Sequence, residues 1–276
     1  MFDVTAAFDF ETLPHISLAV FPVWGKLAPD QDDSRGWVFK QKDDKDHEFG
    51  GVSCVEPLYG LRTLRQLYEK DDPDYTGKYT TPTLWDAKTE KIVNTESSEI
   101  IRFLNNQFNE FAKNPSLDLC PADRLKEIES INEEFYNSVN NGVYRSGFAT
   151  TQEAYDEAVN DVFNELDRLE ERLGKSRYLL GNTITESDIR LFVTLVRFDK
   201  VYVGHFKCNK KTLHEYPNLW AYTRDLYQMP AIRDSVNFDH IRHHYHRSHP
   251  SVNPHAIVPA GPTNIDFDEP HNRDKM

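Results

Sequence analysis

The segment YTGKYTTPTLWDAKTEKIVNTESSEIIRFL, residues 75–104, combines two short runs of strand-forming residues with a helical pattern. Thr83–Trp85 and Lys91–Val93 flank a polar turn, which predicts a β-hairpin. Asn94-Thr95 offers a helix N-cap, and the apolar residues that follow recur at helical spacing. A hairpin that leads directly into an amphipathic helix indicates an α/β unit.

The residues upstream extend this unit. Residues 14–24, PHISLAVFPVW, are rich in β-forming residues and predict a buried strand. Residues 60–70, GLRTLRQLYEK, place leucines at helical spacing. The order strand, helix, hairpin, helix predicts an α/β domain over residues 1–112.

Residues 118–262 carry one helical pattern after another, which predicts an all-α domain. Five helices are predicted. The first has an apolar stripe at residues 125–135, and the next two begin at the capping boxes Thr150-x-x-Glu153 and Thr185-x-x-Asp188. The last two cover residues 217–229 and 232–245. Residues 263–276 are assigned to a tail. From Pro250 onward we expect an extended strap or partly disordered chain, because Pro, Asn and Asp are frequent there.

The composition limits the classes of function. The chain has 276 residues and a net charge of −13 at pH 7, which argues against nucleic acid because phosphate binding needs a basic face. Cys54, Cys120 and Cys208 form neither a CxxC pair nor a zinc-ligand spacing, which favours a reducing compartment. There is no apolar run of the roughly 18 residues that a spanning helix needs and no basic leader at the N-terminus. We expect a cytoplasmic protein without a metal, membrane or nucleic-acid partner.

Eight segments resemble those of one family, in the same order. They are GWVF (36–39), YTGKYTTPTLWD (75–86), IVNTESSEIIRFL (92–104), VNNGVYRSGFA (139–149), TESDIRLF (185–192), RFDKVYVGHFKCN (197–209), YPNLWAY (216–222) and HHYHRSHPSVNP (243–254). Together they resemble the glutathionyl-hydroquinone reductases, the Xi class of glutathione transferases, often grouped as omega-like. The resemblance covers about residues 12–262. It implies an incomplete thioredoxin-like N-terminal domain followed by a helical glutathione transferase C-terminal domain.

The resemblance implies a thiol chemistry. In this family a cysteine thiolate in a CPWAH motif attacks the sulfur of a glutathionyl-hydroquinone, the hydroquinone leaves, and a second glutathione resolves the mixed disulfide. The implied substrates are glutathione and a glutathionyl-hydroquinone or a similar small electrophile, and the implied assembly is a homodimer.

The CPWAH motif does not occur in this sequence, and Cys54 and Cys208 are poor substitutes for its cysteine. The first strand of a thioredoxin-like sheet is central, so its loss leaves backbone groups of the neighbouring strands unpaired. Two interpretations stay open: a truncated chain, which we favour because the other site residues match, or a divergent member without the thiol step. The second interpretation predicts a catalytically impaired glutathione-binding or dimerising protein.

The resemblance places glutathione binding in the first domain, at Trp37, Lys78, Thr80, Thr81, Glu96 and Ser97. Ser97 and the adjacent helix amides would hold the γ-glutamyl carboxylate, and Glu96 would bind the ammonium group, with plain N-capping as the alternative. Pro82 is either a cis-proline that presents the backbone of Thr81 or an ordinary strand-start proline. Lys78 stands where the family has arginine, which predicts weaker glutathione binding. Trp37 either packs over glutathione or is a half-buried core residue.

Three tyrosines are the candidate catalytic residues under this resemblance. Tyr144 matches the proton donor and acceptor for the hydroquinone oxygen, while Tyr202 and Tyr245 match tyrosines that hydrogen-bond the thiolate. Packing is the alternative for each of them, and direct activation of glutathione by Tyr144 is a third possibility for the chemistry. A group of four histidines lacks the cysteines or carboxylates that would complete a metal site, and we interpret it as a histidine-rich helix end: His243, His244, His246 and His249.

Overall fold

The structure is a computed structural model that describes residues 16–19, 37–39, 56 and 58–276. The predicted loop that contains Cys54 lies outside these residues.

The chain divides into two compact units. The first consists of Met1–Leu117 and Ser235–Val258, and the second of Asp118–Asp234 and Pro259–Met276. The domain boundary predicted from the sequence, residues 118–262, stays a prediction; in the structure Ser235–Val258 groups with the first unit.

A three-stranded antiparallel sheet lies in the first unit. β1 (Ile16–Ala19) pairs with β2 (Thr83–Asp86), which pairs in turn with β3 (Lys91–Asn94). The hairpin prediction is confirmed, and the strand predicted within 14–24 is confirmed over β1, its other residues lying outside the described ones. Because β1 and β3 both pair with β2, the central strand of this sheet has a hydrogen-bonded neighbour on each side.

Helix α1 (Leu64–Asp71) packs against the sheet through its apolar face. Its N-terminus is a capping box, in which the Thr63 side chain accepts from the Gln66 amide and the Gln66 side chain accepts from the Thr63 amide. The buried residues of this core cluster are Phe39, Leu64, Leu67, Tyr68 and Trp85.

Helix α2 (Ser97–Asn106) follows β3 directly. Its N-cap is Glu96 rather than the predicted Asn94-Thr95, because a Glu96 carboxylate oxygen accepts from the Ser98 amide at 3.4 Å. The Asn94 side chain, two residues before this cap, instead accepts from the Glu96 amide at 2.6 Å.

The other elements of the described residues are helical. They are α3 (Leu125–Phe135), α4 (Gly142–Gly147), α5 (Gln152–Leu173), α6 (Glu186–Arg197), α7 (Val203–His205), α8 (Pro217–Tyr227) and α9 (Pro230–Arg233) in the second unit, and α10 (Phe238–Ser248) in the first. Two π-helical segments, Tyr136–Asn140 and Phe198–Tyr202, precede α4 and α7. In the described part of the chain, no helix is both long and apolar enough to cross a bilayer.

Two helix predictions need correction. Helix α5 is capped by Thr151, whose side chain accepts from the Ala154 amide, and not by the predicted box that begins at Thr150. The single helix predicted over residues 232–245 is two helices, because α9 ends at Arg233 and α10 begins only after the Asn237 cap.

The second unit is organised around the buried carboxylate of Asp188 in the first turn of α6. As predicted, Asp188 and Thr185 form a capping box, with Asp188 Oδ2 accepting from the Thr185 amide at 2.8 Å. Asp188 Oδ1 also accepts from the Leu179 amide at 2.9 Å and from the Tyr222 hydroxyl at 2.8 Å. Burial raises the pKa of Asp188, and these hydrogen bonds oppose that rise by stabilising the charged form. One carboxylate thus joins α6, the loop before it, and α8.

The tail is packed on the second unit rather than disordered. Arg273 is 2% exposed, and its guanidinium donates to the carbonyl oxygens of Leu173, the last residue of α5, and of Arg177 in the loop that follows. Phe267 is buried against the rings of Trp220 and Tyr227.

We expect Asp188→Ala to lower the free energy of unfolding by about 3 kcal/mol, because it leaves the donors of Leu179, Thr185 and Tyr222 without their acceptor. Thermal denaturation measures the change. Asp156→Ala removes an exposed carboxylate from the first turns of α5 and serves as the control, with an expected effect within about 0.5 kcal/mol. Equal melting temperatures for the two variants would show that the buried carboxylate is not a major source of stability.

Candidate functional site

The segment that carries Trp37 is paired with the start of α1. Val38 forms an antiparallel bridge with Thr63, and the carbonyl oxygen of Trp37 accepts from the Leu64 amide at 3.0 Å. The half-buried indole packs against the core cluster and stacks on His244, with ring centroids 5.1 Å apart and planes 7° apart. These contacts match the core interpretation of Trp37, and contact with glutathione stays a prediction.

The turn before β2 contains the cis peptide bond Thr81–Pro82, as the resemblance predicts. Thr81 is partly exposed. On either side of it, Thr80 and Thr83 are hydrogen-bonded to the hydroxyl of Tyr68 from α1. The backbone of Thr81 is therefore held between two fixed residues.

Lys78 and Thr80 are both exposed. The Lys78 carbonyl oxygen accepts from the Tyr75 hydroxyl at 3.0 Å, which fixes the backbone at this point. The exposed side chain of Lys78 is available to an anionic ligand.

Glu96 and Ser97 stand at the N-terminus of α2, and both are exposed. The Glu96 carboxylate caps the helix through the Ser98 amide and also accepts from the Ser98 hydroxyl at 3.2 Å. The N-capping alternative is therefore realised by Glu96. The positive end of the helix dipole and the exposed Ser97 hydroxyl remain suited to a carboxylate ligand.

An aromatic cluster in the second unit contains Tyr144 of α4 and Tyr202. The Tyr144 ring lies 5.2 Å from that of Phe206 and 6.1 Å from that of Tyr202. Tyr202 is buried, whereas Tyr144 is partly exposed. Phe206 packs directly on Gly147, where a Cβ would lie 2.0 Å from a ring carbon, so the glycine permits this cluster.

Tyr245, the third candidate tyrosine, lies in α10 of the first unit and is buried. Its ring makes edge contacts with those of His244 and His249, at 5.2 and 5.6 Å. The structure therefore places Tyr144 and Tyr202 together, and Tyr245 in the neighbourhood of Trp37 through His244.

Burial lowers the pKa values of three histidines in α10 and at its C-terminal cap. Burial, followed by the charge of Arg242, lowers the pKa of His246 to about 4, and burial also lowers the pKa of His243 and of His249. Within the described residues there is no group of three or more His, Cys, Asp or Glu side chains placed to hold a metal ion.

Cys208 follows the aromatic cluster and is fully buried. Burial raises the pKa of its thiol to about 12, which outweighs the opposing hydrogen bond with Ser146. A thiol with such a pKa is almost entirely protonated near neutral pH, so Cys208 does not supply a nucleophilic thiolate. Cys120 is partly exposed, and Cys54 lies outside the described residues.

The comparison of sequences decides the family. The chain is 51% identical over 239 residues to the glutathionyl-hydroquinone reductase YqjG of Escherichia coli, across 87% of this chain and 70% of that relative. The chain belongs to the glutathionyl-hydroquinone reductase family. A family model described as "Glutathione S-transferase, C-terminal domain" matches residues 152–225, which include α5 and α6.

Solved structures of glutathionyl-hydroquinone reductases and Xi-class transferases share the fold. The glutathione-bound structure of YqjG superposes with a TM-score of 0.82 at 48% identity, covering 92% of this chain and 77% of that one. The Xi glutathione transferase of Phanerochaete chrysosporium gives a TM-score of 0.81 at 46% identity, covering 90% and 76%. The fold is a partial thioredoxin-like domain with a helical glutathione transferase domain.

Tyr68 is a structural residue of this reductase fold that the sequence analysis did not single out. It stands four residues after Leu64 on the apolar face of α1. A tyrosine within an apolar stripe is a usable signal, because a buried phenol hydroxyl needs a hydrogen-bond partner.

We expect iodoacetamide to modify Cys120 in the native reductase-family chain and to leave Cys208 unmodified, because the Cys208 thiol is buried and protonated. Mass spectrometry of tryptic peptides measures both sites. In guanidinium chloride the two thiols should react alike, which provides the control. Native labelling of Cys208 at the rate of Cys120 would contradict the burial argument.

Proposed function

We propose that this chain is a glutathione-dependent oxidoreductase of the transferase type that converts a glutathionyl-hydroquinone and glutathione to the free hydroquinone and glutathione disulfide. The carbon–sulfur bond of the substrate breaks, a sulfur–sulfur bond forms, and the hydroquinone carbon gains a proton. The observation that carries the proposal is the 51% identity to the E. coli glutathionyl-hydroquinone reductase.

The glutathione-binding part of the proposal rests on exposed groups of the first unit. In this assignment, Thr81 offers its backbone beside cis-Pro82, and Ser97 offers a hydroxyl at the positive end of α2. Lys78, Thr80 and Trp37 complete the set, and Glu96 pairs with the ammonium group of glutathione.

The chemical part rests on the partly exposed phenol of Tyr144. A phenol both donates and accepts a hydrogen bond, so Tyr144 can exchange a proton with the hydroquinone. By the family resemblance, Tyr202 and Tyr245 are assigned to hydrogen bonds with the reacting thiolate. Their burial suits fixed donors, because a buried phenol keeps its orientation.

A second candidate function is glutathione binding, or dimerisation, without thiol exchange. The observation that favours it is the protonated, buried thiol of Cys208. The two candidates differ in whether hydroquinone is released. A third arrangement, in which Tyr144 activates the glutathione thiol directly, predicts turnover that survives the replacement of all three cysteines.

The setting of the protein is also a proposal. We assign it to the cytoplasm as a homodimer whose partners are glutathione and a small electrophile, with no metal, membrane or nucleic acid. The net charge of −13 and the three widely spaced cysteines support this assignment, and the family resemblance supports the homodimer. The domain boundaries proposed from the sequence are 1–112, 118–262 and a tail at 263–276.

We expect Glu96→Ser to weaken glutathione binding by about tenfold, because serine keeps an N-cap for α2 but removes the carboxylate from the ammonium group. Ser97→Ala should weaken it by about fivefold through the loss of one hydrogen bond. Isothermal titration calorimetry measures both. Glu110→Ser removes an exposed carboxylate elsewhere in the unit and should bind like the unsubstituted chain. Unchanged affinity in both site variants would show that the glutathione site is elsewhere.

We expect Tyr144→Phe to lower kcat by about a hundredfold with a small change in the glutathione Kd, because the phenol acts on the hydroquinone oxygen. Released hydroquinone is measured chromatographically. Tyr136→Phe, an exposed tyrosine that precedes α4, is the control. Glutathione binding without hydroquinone release by the unsubstituted chain would support the second candidate function instead. Turnover by a variant with alanine at Cys54, Cys120 and Cys208 would support direct activation of glutathione.

A further inference from the structure

A single buried hydroxyl, that of Tyr68, is bonded to both ends of the four-residue turn that contains Thr81. It donates to the Thr80 carbonyl oxygen at 2.8 Å and accepts from the Thr80 amide at 3.3 Å. It also accepts from the Thr83 hydroxyl at 3.3 Å, and that hydroxyl lies 3.0 Å from the Thr80 carbonyl oxygen. Residues 80 and 83 are therefore fixed relative to one point on α1.

The position of this hydroxyl is itself fixed by packing. The Tyr68 side chain is 2% exposed and belongs to the core cluster with Leu64, Leu67 and Trp85. Its ring contacts that of Tyr75 at 5.0 Å between centroids. A close-packed aromatic ring has a single available rotamer, so the hydroxyl cannot follow movements of the turn.

Helix α1 is bonded at its two ends to the other segments that carry candidate glutathione-binding residues. At its N-terminus the Leu64 amide donates to the carbonyl oxygen of Trp37. At its C-terminus the Asp71 carboxylate lies 2.8 Å from Lys91 Nζ and accepts from the Ile92 amide at 3.3 Å, at the start of the strand that leads to Glu96. Between these two ends of the helix, the Tyr68 hydroxyl bonds α1 to the turn at Thr81.

We propose that Tyr68 is a positioning residue of the glutathione site, which holds the backbone of Thr81 in the geometry that binds the tripeptide. The inference rests on the proposed function. Tyr68 is buried beneath the turn and acts only through Thr80 and Thr83. A preorganised backbone binds a peptide ligand more tightly, because the conformational entropy of that backbone has already been lost on folding and not on binding.

The test compares two substitutions that each delete one hydroxyl from the same core. Tyr68→Phe removes the bonds to Thr80 and Thr83. Tyr59→Phe is the matched control, because the Tyr59 hydroxyl accepts from Trp85 Nε1 at 3.2 Å and has no bond to the turn. Both variants lose a partly buried hydrogen bond, so both should lower the melting temperature. Only Tyr68→Phe should disturb the turn.

For Tyr68→Phe we expect the glutathione Kd to rise about three- to tenfold, the equivalent of one or two hydrogen bonds, with Tyr59→Phe unchanged. Isothermal titration calorimetry measures the Kd. In turnover, the KM for glutathione should rise while kcat stays within about twofold, because bound substrate still meets an intact reacting group. Hydrogen–deuterium exchange without ligand should be faster at the Thr80 amide in Tyr68→Phe only.

Each result has a defined meaning. Equal Kd values for Tyr68→Phe and the unsubstituted chain would overturn the positioning role and leave the proposed function intact. An equal rise in Kd for both variants would also overturn it, since general destabilisation would then explain the effect. Failure of the unsubstituted chain to bind glutathione would overturn the proposed function and this inference together. If Tyr68→Phe does not fold, Thr83→Val deletes one of the same bonds from the turn and should raise the Kd about twofold.

Discussion

The buried carboxylate of Asp188 is the interaction on which the helical unit depends. A buried carboxylate is costly unless its oxygens accept hydrogen bonds. Asp188 meets this condition with donors from three places: the turn at Leu179, the N-cap Thr185 and the hydroxyl of Tyr222 on α8. Burial and the neighbouring charge of Asp188 raise the pKa of Tyr222, which keeps that phenol in its donating form. The same group therefore starts α6 and fixes a second helix against it.

In the first unit a backbone amide, a phenol hydroxyl and the partly exposed Asp71 carboxylate serve a comparable purpose. Helix α1 has only eight residues, too few to be stable alone, and its stability comes from the apolar face that it buries. Polar groups along it bind the backbone of the segment at Trp37, the turn at Thr81 and the strand β3. A short helix thus connects the three stretches that carry the proposed glutathione-binding residues. The helix therefore attaches the proposed ligand-binding segments to the rigid core of the unit.

Some features could be predicted from the sequence because their signals are local. The hairpin of β2 and β3 follows from two strand-forming runs around a polar turn, and the Thr185–Asp188 box follows from its spacing. The N-caps of α2 and α5 could be placed only to within a residue or two. Each start offers adjacent residues able to cap: Asn94, Thr95 and Glu96 before α2, and Thr150 and Thr151 before α5. The return of Ser235–Val258 to the first unit depends on tertiary contacts that no local pattern records.

For the candidate site, the residues could be predicted from the sequence but their supporting contacts could not. Its residue assignments came from the resemblance, and the cis bond at Pro82 agrees with it. The supporting contacts could not be predicted, because the Tyr68 hydroxyl bonds to residues 12 and 15 positions away on another element. The absence of a reactive thiol at Cys208 likewise depends on burial, which the sequence HFKCN does not reveal.

The bonds from Arg273 to the end of α5 carry a consequence for the order of folding. The bond to the Leu173 carbonyl oxygen joins residues 100 positions apart. The turns of α5 form from contacts within a few residues, whereas this bond requires the closure of a long loop, whose entropy must be lost first. We therefore expect the Leu173 carbonyl oxygen, at the end of α5, to exchange water for its final partner late in folding, after the intervening helices α6 and α8 have formed.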